Sequence, residues 1–213
     1  MNTIVYPHPS TRGLARLLEL AGVGAAGPAC EQFYFLRHGQ TACNARRIFQ
    51  AADEPLDATG EAQARRAAAT LAGTALSSIV CSEMPRAHHT ARAVAAGRDL
   101  ALHVTAGLRE RNFGHLIGSS SRELDWTCDP AGGESLDAFV LRSRAGLAEA
   151  LAKPAPVLVV AHGGTFYVLA GWLGIDVSTA LLGNALPLRF DRGVTGWRAT
   201  ALDIDAVGEA NLS

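Results

Sequence analysis

Phe33-Tyr34-Phe35-Leu36-Arg37-His38-Gly39 joins an unbroken aromatic and aliphatic run to a basic pair and a glycine. The apolar run predicts a short buried strand, and Gly39 permits a sharp turn at its end. Arg37 and His38 are thus presented at the carboxyl end of a strand, where open α/β sheets place their ligand sites. A guanidinium offers a fixed fork of donors that suits phosphate. An imidazole can act as a nucleophile or proton carrier near neutral pH. The combination points to phosphoryl chemistry on histidine.

A second strand carries the same punctuation. Val157-Leu158-Val159-Val160-Ala161 is wholly apolar, as expected of a central strand covered on both faces, and it runs into His162-Gly163-Gly164. The two glycines allow close backbone approach to a ligand, and a helix expected from Thr165 to Leu173 presents free N–H groups to an anion. Around these two strands, apolar runs alternate with helical patterns. Thr59 is a candidate cap for a helix through Ala72, and Leu76 to Cys81 reads as a strand. Pro85 suits the first turn of a helix ending near Gly97, and Leu100 to Val104 forms another short strand. Ser135 can cap a helix that Pro154 stops. Leu186 to Phe190 and Trp197 to Leu202 read as closing strands, with a turn at Asp191-Arg192-Gly193. The pattern predicts an α/β fold: a three-layer α/β/α sandwich around a mostly parallel mixed sheet.

Composition narrows the functional classes. The 213 residues are 48% hydrophobic and 18% charged, a globular balance, and the formal net charge of -1 argues against a nucleic-acid surface. Cys30, Cys43, Cys81 and Cys128 show no C-x-x-C spacing, so they read as reduced thiols of a cytoplasmic protein. No apolar stretch approaches the ~20 residues that span a bilayer. Residues 1–30 are expected to form an N-terminal extension, docked on the surface or partly disordered. Its helical stripe of Leu14, Leu17, Leu18 and Ala21 is interrupted for a signal peptide by Arg12, Arg16 and Glu19. Residues 31–213 are expected to be one domain.

Two further residues complete a chemical set. Arg86 opens the helix after the strand ending at Cys81-Ser82, and Glu110 follows another strand in Leu108-Arg109-Glu110-Arg111-Asn112-Phe113-Gly114. Arg37-His38-Gly39-Gln40-Thr41, Ser82 to Arg86 with Thr90-Ala91, the Glu110 block and Ala161-His162-Gly163 together resemble the histidine phosphatase superfamily. That family includes the cofactor-dependent phosphoglycerate mutases and many phosphatases, and the resemblance runs from about residue 32 to 203. It implies that His38 is the nucleophile that becomes phosphohistidine. By the same likeness Arg37, Arg86 and His162 grip the phosphoryl oxygens and Glu110 is the general acid. Thr41, Asn44, Gln50 and Gly163 match positions around the phosphate or substrate. No metal or other cofactor is implied, because the cations compensate the transferred charge.

The departures from the family pattern concern the mouth of the site. Ile48-Phe49-Gln50-Ala51 keeps only the glutamine of a frequent Arg-x-Gln-Gly, and Leu116-Ile117-Gly118 replaces an aromatic-acid-Gly triplet. Both changes argue against a sugar phosphate that needs many hydroxyl contacts. A lid at about residues 114–134, with Arg122 and Trp126, is the expected source of specificity. The expected activity is metal-independent hydrolysis of a small phosphorylated metabolite by a monomer or homodimer without membrane or nucleic-acid partners. The alternatives are mutase-type phosphoryl transfer, whose known members resemble each other in a longer insertion after the Glu110 block than this chain has room for, and a non-catalytic phospho-ligand sensor. His88-His89 are helix neighbours on different faces and do not form a metal pair.

Overall fold

The structure is a computed structural model that describes residues 12–24 and 26–202. Residues 1–11 of the expected extension lie outside the described residues, as do Ala25 and residues 203–213. Six strands form a single sheet: β1 (Gln32–Arg37), β2 (Ser78–Ser82), β3 (Leu102–Thr105), β4 (Val157–Ala161), β5 (Pro187–Gly193) and β6 (Gly196–Ala201). Their order is β3-β2-β4-β1-β5-β6, with the first four parallel and the last two antiparallel. This is the mostly parallel mixed sheet expected from the sequence.

Strand periodicity sorts the core into two halves. Phe33, Phe35, Val157 and Val159 point to one face, where they meet the buried sides of α1 (Leu14–Gly22), α5 (Leu136–Leu151) and α6 (Gly163–Leu173). Tyr34, Leu36, Leu158 and Val160 point to the other, against α3 (Ala58–Thr70) and α4 (Pro85–Ala95). A sixth, short helix α2 (Ala42–Arg46) follows His38. Helices on both faces make the three layers.

Local chemistry explains the helix limits, with two corrections. Ser135 caps α5 by accepting the Ala138 N–H at 3.2 Å. The cap of α3 is Asp57, which accepts the Gly60 N–H at 2.8 Å, so Thr59 lies inside the helix. The hairpin turn falls at Val194-Thr195, because Asp191, Arg192 and Gly193 still pair with Arg198, Trp197 and Gly196. The helical stripe expected before Ala21 is real: Leu14, Leu17 and Ala21 of α1 enter the core against α6. Sandwiched between the sheet and α1, α6 is apolar nearly all round. Among the described residues, no helix is long and apolar enough to cross a membrane.

Candidate active site

Topology creates the site. Arg37 and Ala161 are register partners on neighbouring parallel strands, and the His38 N–H donates to the Ala161 carbonyl at 3.0 Å. His38 and His162, 124 positions apart, are therefore placed side by side with ring centroids 5.1 Å apart. The next strand, β2, ends in Ser82 beside His162. Gly39 is required for closeness rather than for an unusual torsion, since a Cβ there would sit 2.4 Å from the Gly60 carbonyl oxygen.

Each histidine is held by one ring nitrogen. The His38 Nδ1–H donates to the Gly39 carbonyl at 2.7 Å, which leaves the Nε2 lone pair for attack. His162 Nε2 lies 2.9 Å from the Ser82 hydroxyl, which itself accepts the Met84 N–H at 3.3 Å. The Ser82 O–H is thus directed at His162 Nε2, and the imidazole proton resides on Nδ1. Burial holds both imidazoles well below their ordinary pKa, and the positive field of Arg37 and Arg86 lowers them further. Both rings are consequently neutral, the form a nucleophile and a directed donor need.

The cations arrive from different elements. Arg37 donates through Nη1 to the Leu182 carbonyl at 2.8 Å. Arg86, 1% exposed at the start of α4, donates to the Ala51 carbonyl at 3.0 Å. Three buried N–H groups nevertheless have no partner: Arg37 Nε, Arg86 Nε and His162 Nδ1. They are three of the five buried side-chain polar atoms that lack a partner among the described residues, and all three belong to this centre. Buried donors are normally satisfied, so this concentration marks a place built for an acceptor with several oxygens.

Glu110 reaches the centre from the loop after β3. One carboxylate oxygen accepts the Arg111 N–H at 2.9 Å, and the other accepts the Gly164 N–H at 3.0 Å in the first turn of α6. Gly164 has to lack a side chain, because a Cβ would lie 2.2 Å from Glu110 Oε1. Gly163, which the sequence pointed to first, is less constrained: a Cβ there would meet only the Arg37 guanidinium at 3.7 Å.

Around these groups lies a cavity of about 580 Å³ lined by Arg37, His38, Asn44, Gln50, Glu110 and Gly163, among others. Arg86 and His162 are fully buried and are not among its lining residues. Thr41 has another job. It caps α2 by accepting the Asn44 N–H at 3.0 Å and donates to Gln50 Oε1 at 2.9 Å, so it positions two lining residues without lining the cavity itself. Of the two sequence departures at the mouth, Ile48 lines the cavity, whereas Leu116 and Ile117 do not. Sequence reasoning passed over Asn184, which donates to the His38 carbonyl at 3.0 Å. No spacing rule flags it, because it stands in an irregular loop that only the fold brings to His38.

The expected lid is firmly tied. Buried Arg111 donates to the carbonyls of Trp126 (2.6 Å), Cys128 (2.6 Å) and Glu134 (2.9 Å). The Phe49 N–H donates to Ser119 and the Ser121 N–H to Arg47, joining lid and loop. From the N-terminal side, the Arg12 carbonyl accepts the Trp126 N–H at 2.9 Å. Among the described residues no cluster of three or more His, Cys, Asp or Glu is arranged to hold a metal ion.

Comparison with known proteins agrees with this geometry. A family model described as histidine phosphatase superfamily (branch 1) matches residues 33–185. The chain is 31% identical over 191 residues to an agropine synthesis reductase of Rhizobium rhizogenes, covering 84% of this chain but only 44% of that protein. It thus spans less than half the length of that relative. A probable phosphoglycerate mutase GpmB of an Enterobacter species is 30% identical over 84% of this chain and 93% of its own. A mycobacterial glucosyl-3-phosphoglycerate phosphatase solved with vanadate superposes with a TM-score of 0.67 at 31% identity, covering 81% of this chain and 98% of that one. With the family model covering most of the chain and the paired strand-end histidines in place, this chain belongs to the histidine phosphatase superfamily.

Proposed function

We propose that the protein is a phosphatase that hydrolyses a phosphomonoester through a phosphohistidine on His38, without a metal, in a reducing cytoplasmic setting. The three unpartnered donors Arg37 Nε, Arg86 Nε and His162 Nδ1 around the available His38 nitrogen carry this reading. His38 Nε2 attacks phosphorus while the ester P–O bond breaks, and the donors compensate charge on the equatorial oxygens. Protonated Glu110 gives its proton to the departing alkoxide. Water then attacks the phosphohistidine, Glu110 takes up a water proton, and the N–P bond breaks to release inorganic phosphate and neutral His38. The four cysteines are unpaired, in keeping with a reducing compartment.

The test is chemical trapping. Turnover of a 32P-labelled monoester stopped in alkali, which preserves the N–P bond, is expected to leave label on His38. Substitution His38→Ala with full retention of phosphate release would overturn the mechanism. Isomerisation of phosphoglycerate without net phosphate release would instead establish mutase chemistry. Tight binding of phosphate esters with no turnover would establish a sensor.

A further inference from the structure

The cavity that holds the phosphate centre also has an apolar lining. Ile48, Leu124, Tyr167, Val177 and Leu182 are half-buried along it, and Trp126 closes one side. Several of the cavity's polar lining groups are already engaged within the protein. The Asn184 amide donates to the His38 carbonyl and to Asn44 Oδ1, and Gln50 accepts from Thr41. Arg111 is taken up by the lid carbonyls it binds, while Arg47 and Arg122 are exposed. The lining carries two side-chain hydroxyls, those of Ser121 and Tyr167. Polyol groups placed there would give up water without equivalent partners.

The apolar wall also lies partly outside the common family unit. Leu14, on α1, lines the cavity, although the family match begins only at residue 33. Arg12 braces the lid beside it, through its carbonyl to the Trp126 N–H and its side chain to Asp125 at 3.6 Å. The cavity wall thus draws on α1, outside the family match, as well as on residues within it. A volume of about 580 Å³ holds a ring-sized body beyond the phosphate.

Resting on the phosphatase reading of the His38 centre, we infer that the preferred substrate is the phosphate ester of an apolar alcohol with an aromatic or branched body, not a sugar phosphate. The test compares 3-phenylpropyl phosphate with glycerol 1-phosphate, both esters of primary alcohols. Burial of the phenyl group predicts a kcat/KM higher for the phenylpropyl ester by about 10- to 100-fold. Leu124→Asn and, independently, Val177→Asn are expected to narrow that ratio toward unity. Phosphate release from both esters at equal rates, or faster from glycerol 1-phosphate, overturns the apolar-substrate inference while hydrolysis stands. No release from either ester, with phenylpropylphosphonate bound at least tenfold more tightly than glycerol phosphonate, upholds the apolar slot and overturns the hydrolytic reading. Equal binding of the two phosphonates overturns the slot.

Discussion

At the scale of single residues, the centre depends on positions that act through their neighbours. Gly164 is one: its missing Cβ leaves room for Glu110 Oε1. Gly164→Ala is expected to displace the carboxylate and lower kcat by about 100-fold, since an ångström of misplacement costs that much. Binding of inorganic phosphate, measured by calorimetry, should change far less. Ser82 is another, because its hydroxyl sets which nitrogen of His162 holds the proton. Loss of this buried hydrogen bond in Ser82→Ala is expected to lower kcat/KM about 5- to 30-fold, from about 1–2 kcal/mol. Ser82→Thr keeps a hydroxyl and should recover most of the rate; equal loss in both variants would point to packing instead.

At the scale of elements, the lid and α1 form one braced unit. Arg111 is 2% exposed and ties three lid carbonyls with a charged fork. Arg111→Met would leave them without donors, and Lys cannot reproduce the fork. Both variants are expected to be less stable by about 2–4 kcal/mol, read as a lower denaturation midpoint, with faster proteolytic nicking in the lid. The docking of α1 rests on Leu14, Leu17 and Ala21 in the core. Leu17→Ala should cost about 2–5 kcal/mol by cavity formation, a penalty that an ornamental surface helix would not show.

At the scale of the whole molecule, two buried neutral histidines couple the site to global stability. The folded pKa of each is depressed, so the unfolded chain takes up protons first as pH falls below about 6.5. Stability is complete above that pH and is lost on acidification toward the folded values, by up to about 1.4 kcal/mol per unit of pH for each histidine. Thermal unfolding between pH 7 and pH 5 should show this slope, and His162→Gln should reduce it. Orthovanadate is expected to raise Tm in the wild type through its binding to the native state, and much less in His38→Ala. An unchanged Tm with saturating vanadate would contradict the reading of the three unpartnered donors.

The chain's local chemistry determined the layered fold and most of the centre. The apolar run Phe33–Leu36 of β1 and wholly apolar β4, each leading to a histidine followed by glycine, announce buried strands with ligand groups at their tips. Arg86 and Glu110 could be named for the same reason: each stands at the boundary of a periodic element. The cap of α3 and the hairpin turn were misplaced by two or three residues, because Asp57 and Thr59 have similar local claims and only packing chooses between them. Tertiary structure alone decided the rest. It buried Arg86 and His162 outside the cavity lining, gave Thr41 a supporting task, and exchanged Gly163 for Gly164 as the glycine that must be bare. It also brought Asn184 to His38 and Leu14 to the substrate wall. The physical reason is distance along the chain: periodicity reports which way a side chain faces, but a contact between residues over a hundred positions apart exists only after the sheet has aligned them.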